Sequence, residues 1–250
     1  MAHVPRIYTQ GPLGPGALIV DGDPARRLGS VMRLREGERF LVFNGDGREW
    51  EATVTGLSKQ RLHATVGAVV RQEPAPSLVL ELWCGLVRPG RFDWAIEKCV
   101  EAGADIIRPL LATRTSRGEG AEGGRRERWE RIAIEAAEQC GRLHLAVIAP
   151  PARLEDLIAA HHGACIVADI AGAPWPKVAP LLPAEGRVAV AIGPEGGLTD
   201  EELALARGRG ALITQLGPNI LRTETAAVVA VALVRSRRGA PGAFAQAALT

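Results

Sequence analysis

The length, composition and charge of the chain limit its possible functions. Its 250 residues are 47% hydrophobic and 23% charged, as expected for a soluble globular protein of one large or two ordinary domains. It has no apolar run of membrane-spanning length and no apolar secretory leader, so we expect a cytoplasmic protein without a membrane partner. Four cysteines at positions 84, 99, 140 and 165 lack metal-ligand spacing, which predicts reduced core thiols and no metal site. A net charge of +2 neither predicts nor excludes a nucleic-acid partner.

The first 72 residues have the pattern of a small all-β domain. Short alternating or β-branched segments predict strands at 7–8, 17–20, 39–43, 49–55 and 61–70. The turn sequence Asn-Gly-Asp-Gly at 44–47 predicts a hairpin, because asparagine and glycine accept positive φ. Residues 24–32 predict a short helix with Asp23 as its cap. We interpret residues 1–72 as a small, partly closed β-barrel.

Arginines surround the single helix of this predicted barrel. Arg26, Arg27 and Arg33 lie in it or just after it. The planar guanidinium of arginine suits phosphate contacts, since it presents a fork of donors. An ordinary solvated helix face would give the same pattern, so spacing alone leaves both interpretations open.

A short proline-containing segment, residues 73–77, leads into a region where strands and helices alternate. Strands are predicted at 78–84, 106–111, 165–168, 188–192 and 212–216. Helices are predicted at 92–102, 125–140, 154–161, 201–207 and 225–235. This alternation is typical of an α/β domain whose parallel sheet is covered on both faces, here over residues 78–238. Residues 239–250 are small and mostly uncharged, which indicates a tail.

Two of the predicted strands each break into a glycine-containing loop before a helix. The strand at 188–192 is followed by the sequence Gly-Pro-Glu-Gly-Gly at 193–197, and the last strand by a second loop at 216–222. Thr199 and Thr223 are expected to cap the helices that follow. Ligands of open α/β sheets bind outside the carboxyl ends of the strands, which predicts a pocket at these loops. Glycine turns that serve only tight packing remain an open alternative.

A third glycine-rich segment, residues 118–123, matches the letters of the dinucleotide-binding fingerprint. That fingerprint needs its glycines directly at a strand end and an acidic residue about twenty positions later. Here residues 113–117 separate the glycines from the strand, and Arg-Leu-His occupies positions 142–144. A surface loop flanked by arginines, which could close over an RNA backbone, is the favoured interpretation.

The two glycine loops also carry a resemblance to a known family. The sequences IGPEGG at 192–197 and LGPNILRTETA at 216–226 resemble the SPOUT methyltransferases, in particular the branch that methylates N3 of uridine in small-subunit ribosomal RNA. Upstream, EKCVEAG at 97–103 and AAEQCGR at 136–142 resemble further stretches of that family. The ordered matches run from about residue 78 to 235. Asn219 departs from the pattern, since an arginine is usual there, and the change could alter a phosphate contact.

The resemblance implies a fold, a cofactor and partners. It implies a PUA-like RNA-binding barrel, and an α/β domain with a C-terminal trefoil knot that forms a pocket for S-adenosylmethionine. The implied substrate is small-subunit ribosomal RNA, on the assembled subunit, and the implied assembly is a homodimer. We expect cofactor contacts from Gly193, Pro194, Glu195, Gly196, Gly197, Leu216, Gly217, Asn219, Ile220 and Leu221. We expect RNA contacts from Arg6, Arg26, Arg27, Arg33, Arg114, Arg117 and Arg125.

Three further residues are candidates for the chemistry. Uracil N3 must lose its proton at or before methyl transfer, and the resulting charge spreads onto the flanking carbonyl oxygens. Arg222 is the candidate to stabilise that charge, and Glu195 or Glu224 the candidate to accept the proton. Two alternatives stay open: a SPOUT methyltransferase that acts on transfer RNA or ribose 2′-oxygens, and a ribosome-associated RNA-binding protein without catalysis.

Overall fold

The computed structural model describes residues 4–58, 61–115 and 125–237, and the chain divides into two compact units. The first unit comprises residues 1–75 and 137–145, and the second comprises residues 76–136 and 146–250. The division near residue 75 falls within the predicted linker. The sequence pattern does not predict the return of residues 137–145 to the first unit. The predicted tail lies outside the described residues.

The first unit is built on a five-stranded, mainly antiparallel sheet. Its strands are β1 (Arg6–Tyr8), β2 (Gly16–Asp21), β3 (Arg39–Phe43), β4 (Arg48–Leu57) and β5 (Arg61–Gln72). Their order is β1-β3-β4-β5-β2, and β1 and β3 are the parallel pair. Alternate residues of β5, namely Leu62, Ala64 and Val66, are buried, so one face of this strand builds the core of the unit. The predicted all-β domain is confirmed.

The hairpin between β3 and β4 forms where the sequence predicts it. Gly45 and Gly47 have φ values of 89° and 90°, which side chains rarely adopt. The side-chain oxygen of Asn44 accepts a hydrogen bond of 3.2 Å from the amide of Asp46. Local turn chemistry therefore sets the register of these two strands.

The short helical segment of the first unit differs from its prediction. It consists of α1 (Gly22–Arg26) and a π-helical turn (Arg27–Val31), and its N-cap is Asp21, without a side-chain capping bond. The prediction of Asp23 as the cap is wrong. Asp23 lies inside the first turn, where its carboxylate accepts a hydrogen bond of 2.9 Å from Arg26.

The second unit is built on a parallel sheet, as the sequence predicts. Its strands are β6 (Leu78–Gly85), β7 (Ile106–Leu111), β8 (Val147–Ile148), β9 (Ala152–Arg153), β10 (Ala164–Pro174), β11 (Gly186–Ile192) and β12 (Leu212–Gln215). The order is β12-β10-β11-β6-β7-β8, with β9 paired to β7. Strands β8 and β9 were not expected, because two residues show no periodicity.

Helices cover both faces of this sheet. They are α2 (Pro89–Ala102), α3 (Arg125–Cys140), α4 (Leu154–Ala160), α5 (Trp175–Val178), α6 (Asp200–Gly208) and α7 (Thr223–Ser236), with a 3-10 turn at Ala179–Leu181. Helix α7 packs on α2, β6 and β11, whereas α4 and α6 pack on each other. Residues 188–192 of β11 are all buried, as a strand covered on both faces requires. None of the helices in the described ranges is long and apolar enough to span a bilayer.

The order of the last strands differs from their order along the chain. Strand β10 precedes β11 and β12 in sequence but lies between them in the sheet. After β12 the chain returns across this region, since α7 packs on β6 and β11 rather than beside β12. The trefoil knot implied by the family resemblance stays a prediction.

Candidate active site

The two predicted glycine loops lie at the same edge of the sheet. Because β11 and β12 are parallel to β10, residues 193–199 and 216–222 both leave its carboxyl edge. The hydroxyl of Thr223 donates a hydrogen bond of 3.0 Å to the carbonyl of Gly193. The prediction of Thr223 as a helix cap is wrong, since the N-cap of α7 is Arg222 and has no side-chain capping bond. The threonine instead joins the two loops.

The loop after β11 is a tight turn with accessible backbone. The amide of Gly197 donates a hydrogen bond of 2.8 Å to the carbonyl of Pro194, and Gly197 has a φ of 72°. A Cβ on Gly193 would lie 3.1 Å from two backbone atoms of residues 197 and 198, closer than side chains normally pack. Glycine at these positions therefore permits the turn and adds no side chain to the loop.

Helix α6 holds the far end of this loop. The side chain of Thr199 accepts a hydrogen bond from the amide of Glu202, and the Glu202 carboxylate accepts one from the amide of Thr199. This capping box confirms the predicted cap. Glu202 also accepts a hydrogen bond of 2.8 Å from the amide of Thr113, which ties the segment after β7 to the same helix.

The end of β6 supports the loop from the neighbouring strand. A Cβ on Gly85 would lie 2.3 Å from the nitrogen of Pro194 and 2.5 Å from the carbonyl carbon of Gly193. Only glycine fits such a close approach of two backbones. Gly85 could not be predicted as a site residue, because an isolated glycine at a strand end carries no specific signal.

Arg114 contacts the same loop. Its Nη1 donates hydrogen bonds of 2.9 Å to the carbonyl of Gly196 and 3.3 Å to that of Leu198. We predicted an RNA contact for this side chain, and that contact stays a prediction. The structure adds a local function, since the guanidinium supports the backbone of the predicted cofactor loop.

The two candidate proton acceptors share one arginine. Nη1 of Arg91, in the first turn of α2, lies 2.5 Å from Oε1 of Glu195, and its Nε lies 3.7 Å from Oε1 of Glu224. The Glu195 side chain is 56% exposed and that of Glu224 only 10%. Oε2 of Glu224 is buried and has no hydrogen-bond partner among the described residues. Arg91 is thus a site residue that the sequence analysis missed.

The charge of Glu224 also acts on a neighbouring thiol. Burial, and to a lesser extent the Glu224 carboxylate, raises the pKa of Cys84 to about 12. This cysteine, the penultimate residue of strand β6, therefore stays protonated and unreactive near neutral pH. It fits the predicted reduced core thiol, and all four cysteines are free of disulfides.

The loop after β12 exposes apolar and polar side chains together. Arg222 and Asn219 are exposed, Leu216 and Leu221 are partly buried, and Ile220 is 83% exposed. The predicted chemistry of Arg222 requires such access, because a stacked or buried guanidinium could not reach a substrate. The predicted cofactor contact of Ile220 stays a prediction.

Strand β10 adds a segment that the sequence analysis did not identify. Ala168 and Ala173 both pair with Thr214 of β12, so the four residues between them, 169–172, leave the sheet. Ile170 in this excursion is 71% exposed. A Cβ on Gly172 would lie 2.5 Å from the Thr214 backbone, which is why glycine closes the excursion. Residues 169–172 thus emerge between the two glycine loops.

The predicted RNA-binding arginines of the first unit fall into two groups. Arg26 and Arg33 are exposed, and Arg33 has a left-handed φ of 58°. Arg27 is partly buried and pairs with Glu138, with 2.9 Å between Nη1 and Oε2. These three stay predicted RNA contacts. Arg26 and Arg33 are exposed to solvent, although Arg26 pairs with Asp23, whereas Arg27 is partly buried against the Glu138 carboxylate.

Arg6 requires a correction. It is 8% exposed, its Nε pairs with Glu49, and its Nη1 donates a hydrogen bond of 2.5 Å to the carbonyl of Ala137. Its Nη2 donates to the carbonyl of Arg142. Burial lowers the pKa of Arg6 although Glu49 opposes the shift. Its donors are committed inside the first unit, so this placement contradicts the predicted RNA contact.

Two of the predicted RNA-binding arginines flank the glycine motif at 118–123. Arg125 is the first residue of α3, whereas Arg117 and the glycine motif at 118–123 lie outside the described residues. In the described ranges, no group of three histidine, cysteine, aspartate or glutamate side chains is arranged to hold a metal ion.

Comparisons with known proteins agree with the architecture of both units. A family model described as an RNA methyltransferase domain matches residues 73–235, and one described as an RNA methyltransferase PUA domain matches residues 21–67. The ribosomal RNA small subunit methyltransferase E of Synechocystis is 34% identical over 84% of this chain and 69% of its own length. The protein of the same name from Mycobacterium tuberculosis is 31% identical over 86% of this chain and 85% of its own length.

Two solved structures extend the similarity to three dimensions. A structure from Legionella pneumophila in complex with the cofactor SAM has a TM-score of 0.84 and 30% identity, covering 94% of this chain and 98% of that one. The ribosomal RNA small subunit methyltransferase E of Neisseria gonorrhoeae bound to S-adenosyl methionine has a TM-score of 0.81 and 27% identity, with the same coverage.

Proposed function

The chain belongs to the RNA methyltransferase family of the ribosomal RNA small subunit methyltransferases E, and we propose that it transfers a methyl group from S-adenosylmethionine to N3 of a uridine in small-subunit ribosomal RNA. One structural observation carries this proposal. Thr223 joins the two glycine loops, and Arg91 holds Glu195 and Glu224 beside them. Bare backbone, apolar surface and carboxylates therefore meet at one edge of the sheet.

The residues at this edge fit the cofactor. The glycines at 193, 196 and 197 carry no side chain that could block the loop, which suits a close approach of S-adenosylmethionine to its backbone. Ile220 and Ile170 offer exposed apolar surface for the adenine ring. Oε2 of Glu224 is a buried acceptor without a donor, and the cofactor carries hydroxyl and ammonium donors.

When bound, the cofactor supplies an electrophilic methyl group on its sulfonium. The chain itself must hold the uracil in line and remove the N3 proton. Glu224 is the better candidate to accept that proton, because its Oε1 lies 3.7 Å from Nε of Arg91, whereas Oε1 of Glu195 is held more tightly, 2.5 Å from Nη1 of the same arginine. The geometry thus favours Glu224 over Glu195 as the proton acceptor, with Arg91 as the residue that positions both carboxylates.

Arg222 has a different function in this proposal. Its guanidinium stays protonated at any working pH, so it cannot act as the base. Two parallel N–H donors can instead stabilise the charge that develops on the uracil carbonyl oxygens. Arg222 is exposed at the N-cap of α7, two positions before Glu224, and this position supports the assignment.

The first unit contributes RNA contacts, with Arg26 and Arg33 as the exposed candidates. We also propose, on the family resemblance alone, that the protein acts on the assembled small subunit in the cytoplasm and that two copies associate through the region of the implied knot. A flipped or single-stranded target base is expected, because a paired base hides N3.

The test is transfer of labelled methyl from S-adenosylmethionine to small ribosomal subunits that lack the modification, followed by nucleoside analysis. Naked ribosomal RNA and transfer RNA are the comparison substrates. We expect 3-methyluridine from the subunits. Label in transfer RNA or on ribose 2′-oxygens would reassign the substrate, and no label in any RNA would contradict the proposal.

A variant links this activity to the site. Gly196→Val places a branched side chain on the loop. Its Cβ alone would lie 3.1 Å from Cβ of Arg114. We expect it to abolish cofactor binding. Gly208→Val is the matched control, because a Cβ there meets no atom within 4 Å. Unchanged cofactor affinity in Gly196→Val would place the pocket elsewhere.

A further inference from the structure

A cavity of about 210 Å³ lies at the carboxyl edge of the parallel sheet, between the start of α2 and the start of α3. Leu86, Val87, Phe92 and Trp129 form its apolar lining. A cavity of about 150 Å³ holds a benzene ring, so this one has room for the single ring of a pyrimidine. Neither the cofactor loops nor the candidate proton acceptors line it, so it is separate from the site of the reacting uracil.

The cavity is the neighbour of the candidate active site along this edge. Strand β6 lies between β11 and β7 in the sheet, and adjacent strands are about 4.8 Å apart. The cofactor loop at 193–197 follows β11, whereas the cavity residues at 86–87 follow β6. Arg91, which holds Glu195, precedes the cavity residue Asp93 by two positions on α2. A base in the cavity would therefore lie beside a uracil at the loops without taking its place.

Asp93 gives the cavity an acceptor that lacks a donor. Arg128 donates from Nε and Nη2 to Oδ2 of Asp93, at 3.0 and 2.7 Å. Oδ1 of the same carboxylate is buried and has no hydrogen-bond partner among the described residues. An unpaired buried carboxylate oxygen is costly, so a ligand that donates a hydrogen bond here recovers that free energy. The bonds to Arg128 also determine which of the two oxygens is left for the ligand.

A cationic side chain lies beside the opening of the cavity. Arg88 is the N-cap of α2, is exposed, and lies in sequence between the lining residues 86–87 and 89–90. In the part of the chain that the structure describes, its guanidinium makes no hydrogen bond or ion pair. An arginine at a helix N-terminus suits a phosphate group, because its donors match the phosphate oxygens and the helix dipole favours an anion.

We propose that this cavity binds a cytosine that lies beside the target uridine in the bound RNA, with Asp93 as the acceptor for its amino group and Arg88 as the contact for its phosphate. This inference rests on the proposed function. Acidic side chains accept hydrogen bonds from the amino group at position 4 of cytosine, where uracil has a carbonyl oxygen that a carboxylate repels. Uracil offers only N3–H between two such oxygens. The cavity thus selects the sequence context of methylation, as pockets for unstacked bases do in other RNA-binding proteins.

The experiment observes the cavity directly, by ¹⁹F NMR of the full chain labelled with 5-fluorotryptophan. Trp129 lines the cavity, and its resonance is assigned with Trp129→Phe. The titrants are cytidine 5′-monophosphate, uridine 5′-monophosphate and inorganic phosphate. We expect the cytidine nucleotide to shift the Trp129 resonance with at least about fivefold higher affinity than the uridine nucleotide, as one contact to a base edge provides. Equal affinities, no shift with either nucleotide, or the same shift with phosphate alone would overturn the proposal.

Asp93→Asn tests the acceptor by reversing the preference. Arg128 donates to the oxygen that the amide retains, so the amide nitrogen takes the position of Oδ1 and becomes a donor. A donor suits the carbonyl oxygen of uracil, so this variant should bind the uridine nucleotide more tightly than the cytidine nucleotide. Asp156→Asn, at an exposed position in the first turn of α4, is the matched control and should keep the wild-type preference. A cytosine preference that survives in Asp93→Asn would contradict the proposal.

Arg88→Ala tests the phosphate contact. It should weaken the binding of both nucleotides severalfold and leave their ratio unchanged, because the phosphate is the same in both. Cytidine without a phosphate should bind Arg88→Ala and the wild type equally well. Arg209→Ala, which removes an exposed arginine outside the cavity, is the matched control. Wild-type affinity of Arg88→Ala for both nucleotides would refute the phosphate contact.

Gly90→Phe separates this inference from the proposed function. It fills the cavity, because Gly90 lines it and a Cβ there meets no atom within 4 Å. We expect loss of cytidine nucleotide binding, unchanged cofactor affinity, and a KM for small subunits that rises at least about fivefold. Gly208→Phe is the matched control, since a Cβ there also meets no atom within 4 Å.

The two proposals fail in different ways in this experiment. An unchanged KM for subunits in Gly90→Phe, with nucleotide binding lost, would refute the inference and leave the proposed function intact. A wild type that binds the cytidine nucleotide in the cavity but methylates no RNA would refute the proposed function alone.

Discussion

The hydroxyl of Thr223 lies 3.0 Å from the carbonyl oxygen of Gly193 and donates a hydrogen bond to it. Thr223 is 5% exposed, so water does not compete for this contact. The bond links the first residue of α7 to the first residue after β11, thirty positions earlier. Arg222 and Glu224 flank this threonine, so the bond brings the start of α7, where both lie, next to the loop at 193–197.

Thr223→Val should separate these two loops without changing the size of the side chain. The Gly193 carbonyl would lose a buried donor, which lowers the free energy of unfolding by about 1–2 kcal/mol. Cofactor affinity should fall by at least tenfold, measured by calorimetric titration. Thr225→Val, two residues further along the same helix, is the control. Full cofactor affinity in Thr223→Val would show that the bond serves stability alone.

Gly85→Ala should displace the cofactor loop from the opposite side. The new methyl group would lie 2.3 Å from the Pro194 nitrogen and meet backbone, which cannot rotate away as a side chain does. We expect a loss of roughly 1–3 kcal/mol in unfolding free energy, together with loss of cofactor binding. Urea denaturation and calorimetric titration measure the two effects.

The control for this substitution is Gly90→Ala, five residues after the end of β6. A Cβ there meets no atom within 4 Å, and alanine in a helix is more stable than glycine by about 0.5–1 kcal/mol. The two variants should therefore change stability in opposite directions. Equal stability of Gly85→Ala and the wild type would mean that the loop adjusts freely.

Local sequence patterns predicted the features whose causes are local. The glycine loop at 193–197 and the helix cap at Thr199 were predicted, because turn and cap preferences act over a few residues. Arg91 was missed because its partner Glu195 is 104 positions away. Thr223 has the position of a helix cap, but its actual partner is 30 positions away and overrides that local preference.

The same reasoning explains the error at Arg6. An arginine near the N-terminus of a predicted RNA-binding domain is a reasonable candidate for phosphate contact. Its partners, however, are Glu49 on β4 and the carbonyl of Ala137, 43 and 131 positions away. No pattern near residue 6 reports those contacts, so the burial of this charge could be found only in the folded chain.

Arg6→Met should therefore act on stability. The substitution leaves the Glu49 carboxylate buried, with Arg71 at 3.7 Å as its remaining cation. Removing one partner of a buried ion pair costs about 3–5 kcal/mol, because the other charge is left uncompensated. Arg26→Met, at an exposed position, should change the unfolding free energy by at most about 0.5 kcal/mol. Native stability with weakened RNA binding in Arg6→Met would restore the original prediction.

His161 should make the stability of the second unit depend on pH. Its ring packs edge-on against Trp83, and its Nε2 lies 3.2 Å from the carbonyl of Ala164. Burial lowers the pKa of His161 from its ordinary value of 6.5. The unfolded chain therefore binds this proton at a higher pH than the folded chain does, so acidification favours unfolding.

The stabilising effect of neutral His161 is complete above pH 6.5 and is lost as the pH falls from 6.5 through the lower pKa of the folded state. Urea denaturation at a series of pH values between 7.5 and 5 measures the slope. His161→Gln should flatten it, because glutamine takes up no proton in this range. An unchanged slope in that variant would assign the pH dependence to other groups.

Arg222→Ala should separate chemistry from binding. The side chain is exposed at the N-cap of α7 and makes no side-chain capping bond, so its loss should leave the unfolding free energy within about 0.5 kcal/mol. Cofactor affinity should stay within a few-fold, since the predicted cofactor contacts come from other residues. Single-turnover methyl transfer to small subunits should fall by about 10²–10³-fold, as when one donor to a developing oxyanion is removed.

The control is Arg209→Ala, an exposed arginine at the C-cap of α6 in the same unit. It removes the same charge from the chain without removing a residue of the site, so transfer should stay near the wild-type rate. Parallel losses of cofactor affinity and transfer rate in Arg222→Ala would show that the arginine holds the cofactor. A loss that appears only in the affinity for subunits would instead make it an RNA contact, because stabilisation of the uracil charge acts on the transfer step itself.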